Sequence, residues 1–248
     1  MTSPPPEETD ILCENCGYML NGLEPSGRCP ECGADIDLSV SQRLRKPPLW
    51  EVIGDPRPKW LRFFLTTGQI IFRPSRFYRT STSRGQIEPA QSFARIHWLI
   101  SSVLLGLAAW AHWDWFQRVE NPFFFMPPAR LAAWVMLLVL PVGTYLAIVL
   151  TIRLAARLTA WEAAYRGYRL PHGVVLRALY YHAAHVLPVA LVALATCGGY
   201  NLLQRTGRLQ MTSASAYLYI LCGEVVLAAG YLFNTYWIGM RNLMYANR

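Results

Sequence analysis

Hydrophobic positions are scattered over the first 58 residues and nearly continuous after residue 95, so the two ends of the chain are built for different solvents. Residues 131–152 form 22 positions without a charge, bracketed by Arg130 and Arg153. At about 1.5 Å per residue that run crosses a hydrocarbon core of about 30 Å. A second run, 96–116, carries His97 and His112 near its ends and Asp114 at its exit. Residues 178–204 are 27 positions free of Lys, Arg, Asp and Glu, and 209–240 are 32 positions with Glu224 alone. Each is long enough for one helix and too short for two. The pattern predicts four spans, at about 96–116, 131–152, 178–203 and 215–240.

Ahead of the spans the period changes. Between Pro58 and Pro74 the polar residues Lys59, Arg62, Thr66, Gln69 and Arg73 are spaced 3, 4, 3 and 4, which places them on one narrow stripe of a helix over 59–73. The rest of its surface is apolar: Trp60, Leu61, Phe63, Phe64, Leu65, Ile70, Ile71 and Phe72. The uncharged part, 63–72, is too short to span, so the helix is expected in the headgroup region, with Trp60, Lys59, Arg62 and Arg73 at the membrane interface. The same apolar face also suits packing against the bundle, and the two roles are compatible.

Composition agrees with a membrane protein: 53% of residues are hydrophobic, 15% are charged, and the net charge is +8. Lys and Arg gather at the ends of the apolar runs, which points to anionic lipid headgroups. Residues 1–95, the connection 153–177 and the tail after the last span hold 12, 5 and 2 of them, 19 in all, against 2 in each opposite loop. By the positive-inside bias both termini are cytosolic. Residues 1–10, acidic and proline-rich, read as a disordered tail without the basic and apolar regions of a signal peptide. The expected location is the bacterial inner membrane. Residues 39–58, with four prolines among Arg and Lys, read as a basic linker. The predicted fold class is an all-α polytopic membrane bundle of four transmembrane helices plus one interfacial helix, with a small N-terminal β zinc ribbon over 11–38.

The ribbon rests on Cys13-Glu14-Asn15-Cys16-Gly17 and Cys29-Pro30-Glu31-Cys32-Gly33. Two intervening residues let one tight turn present two thiolates to a single ion, and the following Gly permits a positive φ. Cys13, Cys16, Cys29 and Cys32 are the predicted ligands of one structural Zn²⁺. An iron site and a metal-free cluster are the alternatives. With sulfur in all four positions, no coordination site remains for a water. Residues 11–38 contain one basic residue, Arg28, against Glu14, Glu24, Glu31, Asp35 and Asp37. That balance repels phosphate, so a cytosolic protein partner is expected rather than nucleic acid.

The stretch CGYMLNGLEPSGRCPECG resembles the N-terminal zinc ribbon found on many bacterial integral membrane proteins. The membrane part resembles the Yip family of membrane-trafficking and membrane-shaping proteins. The residues carrying this likeness are Ile71-Phe72-Arg73-Pro74-Ser75-Arg76-Phe77-Tyr78, Val175-Leu176-Arg177-Ala178-Leu179-Tyr180-Tyr181 leading to Pro188, and Tyr236-Trp237-Ile238-Gly239-Met240. The resemblance implies five spans with ends on opposite sides, whereas the hydropathy pattern contains four, and it brings no catalytic residues.

Inside the spans, Glu224 lies 17 residues from Arg241 and His112 lies 17 residues from Arg95, which puts them at one depth. Three roles are open for Glu224: a structural bond to His112, a neutral unpaired acid, or a step in a proton or ion pathway. His182 and His185 share a helical face, His185 level with Tyr145, and read as satisfied core groups. Cys197 and Cys222 read as small buried residues, with a disulfide as the alternative. No nucleotide-binding, metalloprotease or serine-hydrolase motif occurs. The expected function is a non-enzymatic membrane adaptor or membrane-organising protein; the alternative is a small transporter or channel component using Glu224 and His112.

Overall fold

A computed structural model describes residues 10–40, 45–82, 85–120, 127–168, 170–207 and 214–247. Of the tail expected over residues 1–10, residues 1–9 lie outside them. In chain order the helices are α1 (Asp37–Val40), α2 (Lys59–Phe72), α3 (Pro74–Thr80), α4 (Ile87–Glu120), α5 (Pro127–Tyr165), α6 (His172–His182), α7 (Val186–Arg205) and α8 (Ala214–Leu243). Four segments are long and apolar enough to cross a membrane: Ile87–Arg118, Leu131–Tyr165, His172–Arg205 and Ser215–Leu243. The protein is thus a helical membrane protein with the four expected spans, each extended at one or both ends.

Prolines set several boundaries. Pro58 precedes α2 in an extended conformation, and Pro74 opens α3 where its missing N–H costs no hydrogen bond. The third span is not one regular helix. A 3-10 turn, Ala183–His185, separates α6 from α7. Pro188 follows it and cannot donate to the carbonyl four residues back, which favours tightening there.

The chain divides into two compact units. One comprises Met1–Ala94, Ile152–Ala184 and Asn234–Arg248. Its core is an aromatic cluster: Phe93 lies 5.2 Å from both Phe63 and Tyr181, Trp50 lies 5.9 Å from Phe63 and from Phe93, and Phe77 lies 5.3 Å from Tyr181. Trp50 comes from the segment expected to be a basic linker. It sits in a 3-10 turn, Leu49–Glu51, donates from its indole N–H to the Pro89 carbonyl at 2.8 Å, and is buried. Next to it, Glu51 accepts from Arg177 at 2.7 Å and from the Tyr181 hydroxyl. Both charged side chains are nearly inaccessible, so the pair must be complete to be tolerated. Trp50 and Glu51 of the expected linker are therefore part of this core, while Ile53 in the same segment is 99% exposed.

The other unit comprises Arg95–Thr151 and His185–Phe233. Here Gly106 of α4 meets Pro141 of α5 so closely that a Cβ would stand 2.5 Å from the proline ring and 2.6 Å from its Cα. The outward faces carry Leu131, Trp134, Leu138, Val142, Leu146 and Leu150, all exposed. A helix apolar on every side needs lipid as its solvent. The prediction follows from the close approach: Gly106→Ala should cost about 1–3 kcal/mol by pushing against Pro141 backbone. Gly143→Ala, which meets nothing within 4 Å, should not destabilise. Thermal unfolding in detergent compares the two.

Candidate metal centre

The two cysteine turns share one backbone design. In the first, the Cys13 N–H donates to the Tyr18 carbonyl and the Gly17 N–H to the Cys13 carbonyl, both at 2.8 Å. In the second, Cys29 donates to Ala34 at 2.8 Å and Gly33 to Cys29 at 2.9 Å. Each turn closes with a glycine at positive φ, +81° at Gly17 and +70° at Gly33, a conformation that side chains with a Cβ resist. Beyond the turns only single antiparallel bridges form, Leu12 with Met19 and Arg28 with Asp35. Among the described residues there is no β-strand, which corrects the expected β ribbon. The turns hold the cysteines without a ladder, and α1 follows the second turn where further pairing would have been needed.

The four Sγ atoms lie within 4.8 Å of one another. Cys13 is 3.6 Å from Cys32 and Cys16 is 3.6 Å from Cys29, and all four thiols are free. Sulfurs at the corners of a tetrahedron with bonds of about 2.3 Å are about 3.8 Å apart, so the set fits a single ion and can hold one. Among the described residues, Leu20 and Ile36 lie buried against it, with Ile11, Ala34 and Val40 at the margin. As free thiols, Cys13, Cys16 and Cys32 differ. Burial pushes Cys16 up to about 12 and also raises Cys13, whereas a hydrogen bond from the Asn15 side chain holds Cys32 down to about 6.

Glu14, inside the first turn, carries the cluster's connection to the rest of its unit. Its carboxylate accepts from Arg45 Nε at 3.0 Å and Nη2 at 2.9 Å, a bidentate pair. Arg45, 9% exposed, also donates to the carbonyls of Tyr78 (3.1 Å), Ser81 (3.1 Å) and Asn242 (3.2 Å). The Asn247 side chain brackets Leu12, accepting from its N–H at 3.0 Å and donating to its carbonyl at 2.7 Å. It also donates to the Ser39 carbonyl at 2.8 Å. The Tyr245 ring fills the space where Gly17 lacks a Cβ. Sequence reasoning counted Arg45 among headgroup charges and Glu14 among surface acids. An acid between two ligand cysteines is a signal that could have been read.

The interface helix also departs from expectation. On α2 the buried residues are Phe63, Thr66, Thr67 and Ile70. Thr66 accepts from the Trp50 N–H at 3.1 Å and Arg62 donates to the Val52 carbonyl at 2.5 Å, so part of the polar stripe faces protein. Trp60 and Phe72, 64% and 82% exposed, stand on the free side with Phe64, close in sequence to exposed Lys59 and Arg73.

Each of the four polar candidates within the spans has a hydrogen-bond partner. His112 Nδ1 lies 3.0 Å from the Tyr217 hydroxyl, and Glu224 accepts from the Thr196 hydroxyl. The anticipated Glu224–His112 bond is absent. Counting inward from Arg95 and Arg241 assumes that both arginines lie at one level, and it leaves out rotation about the helix axes. His185 bonds Tyr231 at 2.7 Å, and His182 bonds Thr235 at 3.0 Å. Cys197 and Cys222 are both free. Asp114, read only as the exit of a span, accepts from Arg118 at 2.8 Å, Arg205 at 2.7 Å and Asn201 at 2.9 Å, tying α4 to α7.

Alkylation followed by peptide mass spectrometry should label all four cysteines of the chelated protein. A bound ion should protect all four. Compared with protein-family models, characterised proteins and solved structures, the chain matches none, so the ribbon and Yip resemblances stand on their short motifs alone.

Proposed function

We propose that this is a non-enzymatic integral membrane adaptor or membrane-organising protein of the bacterial inner membrane, with both termini cytosolic and one structural zinc ion in its N-terminal ribbon. The observation that carries the reading is the four-sulfur cluster bound through Glu14 and Asn247 to the chain's C-terminal end. A site with four sulfurs and no open position suits zinc in a structural role. It holds a small module rigid, which suits presentation of a surface more than catalysis. The ribbon exposes Tyr18, Met19 and Leu23 with Glu24, Glu31, Asp35 and Asp37 around them. That surface offers apolar contact and negative charge to a protein partner and repels nucleic acid. Trp60, Phe64 and Phe72, flanked by Lys59 and Arg73, suit the headgroup region of an anionic leaflet.

A purified sample should contain about one zinc per chain, and Cys13→Ser should lose it. Stoichiometric iron would sink the zinc assignment. Replacing Tyr18, Met19 and Leu23 with serine should keep the zinc and reduce what the protein captures from detergent-solubilised membranes. Recovery of the same proteins by both forms would remove the adaptor reading.

The second reading, a small transporter or channel component, draws on Glu224 and His112 within the spans. Their separate partners, Thr196 and Tyr217, give each a structural role of its own. Glu224→Gln, which still accepts from Thr196, should leave thermal stability within about 0.5 kcal/mol and leave proton flux across reconstituted vesicles at background. A proton flux in the native protein that Glu224→Gln abolishes would favour transport.

A further inference from the structure

Arg45 is the point where the ribbon meets two helix ends. Its side chain is 5% exposed, and its guanidinium donates to Glu14 on one side and to three carbonyls on the other. Those carbonyls belong to Tyr78 in the last turn of α3, Ser81 just after it, and Asn242 in the last turn of α8. Carbonyls at helix C-termini have no partner within the helix and need an outside donor. One cation supplies it for both helices and is neutralised by a carboxylate that stands between two of the four cysteines.

We propose that metal occupancy of the cysteine cluster is transmitted through Glu14 and Arg45 to the ends of α3 and α8, making the ribbon a metal-dependent latch on the C-terminal residues 244–247. The inference rests on the reading that the cluster binds a metal. With Cys13 and Cys16 both bound to one ion, the backbone between them is fixed and so is Glu14. The apolar support of the ribbon is too small to hold that turn by itself. When the ion leaves, Glu14 loses its place and Arg45 becomes an uncompensated buried charge, which proteins do not tolerate. The guanidinium then moves to water and uncaps the three carbonyls.

The tail is released by the same event. The Asn247 N–H donates to Glu14 at 3.2 Å, and its side chain holds Leu12 and Ser39. Tyr245 occupies the slot over Gly17, a slot that exists only while the first turn keeps its left-handed glycine. Three contacts from the last few residues therefore converge on the segment whose shape the ion sets.

The test is hydrogen exchange of the full-length protein in detergent, with metal content measured on the same samples. Chelation should speed exchange at residues 81–82 and 244–247 by about tenfold or more, and added zinc should restore protection. Glu14→Gln, which removes the charge and keeps all four cysteines, should retain the metal and show the same fast exchange without chelator. The latch is overturned if chelation frees only residues 11–36 while 81–82 and 244–247 stay protected. It is overturned equally if Glu14→Gln leaves exchange unchanged. A native sample that holds no metal and takes up none defeats the metal reading itself, and the metal assay reports that independently of exchange.

Discussion

A guanidinium taken out of water has to find a carboxylate and use its remaining N–H groups, and in this protein that requirement organises the unit that carries the four N-terminal cysteines. Arg45 meets it by drawing together the first cysteine turn, the end of α3 and the end of α8, segments that lie as much as 228 positions apart in the chain, from Glu14 to Asn242. Without Glu14 the arginine would not stay, and without the arginine two helix ends would lack donors. The ribbon, too small to fold on apolar burial, is thereby joined to a larger unit. Its cysteine cluster, its charge and its attachment are one problem with one solution.

The same arrangement recurs elsewhere with different partners. Glu51 and Arg177 form a second enclosed pair, closed by the Tyr181 hydroxyl. Asp114 accepts from two arginines and an asparagine in the other unit. Each pair lies at or near the end of an apolar run, where a helix leaves hydrocarbon and a charge can be neutralised by protein instead of headgroups. These pairs bear on the charge count from which the orientation is expected. Among the described residues Arg28, Arg45, Arg57, Arg166 and Arg177, of the 19 Lys and Arg on one side, have acidic partners, and Arg118 and Arg205, of the 4 on the other, share the one carboxylate of Asp114, so the bias keeps its direction.

The helix α2 divides its surface between protein and a free apolar side, as the proposed interfacial role requires. Three sectors divide its circumference: Phe63, Thr66, Thr67 and Ile70 toward the core, Lys59 and Arg62 at the margin, where they meet the Trp50 ring and the Val52 carbonyl, and a free aromatic side with Trp60, Phe64 and Phe72. A two-sided amphipathic helix can choose between protein and lipid, whereas three sectors engage both. That geometry fits the proposed membrane-organising role, because movement of the protein surface would then be felt at the leaflet.

Length, hydropathy and spacing determined the four spans, the helix after Pro58 and the four cysteines. These are local properties: a run long enough to cross hydrocarbon, a 3.6-residue period, and a turn that fits two thiolates. They need no partner, so they can be read from adjacent residues. What only the tertiary structure decided is pairing. Which acid meets Arg45, why Trp50 is core despite its proline-rich surroundings, and that His112 turns to Tyr217 while Glu224 turns to Thr196 depend on helix rotation and level, set by contacts such as Gly106 against Pro141. A charge in sequence is only a charge. Whether it faces a headgroup or a carboxylate is fixed by what the fold brings within about 3 Å, and no local pattern encodes that distance.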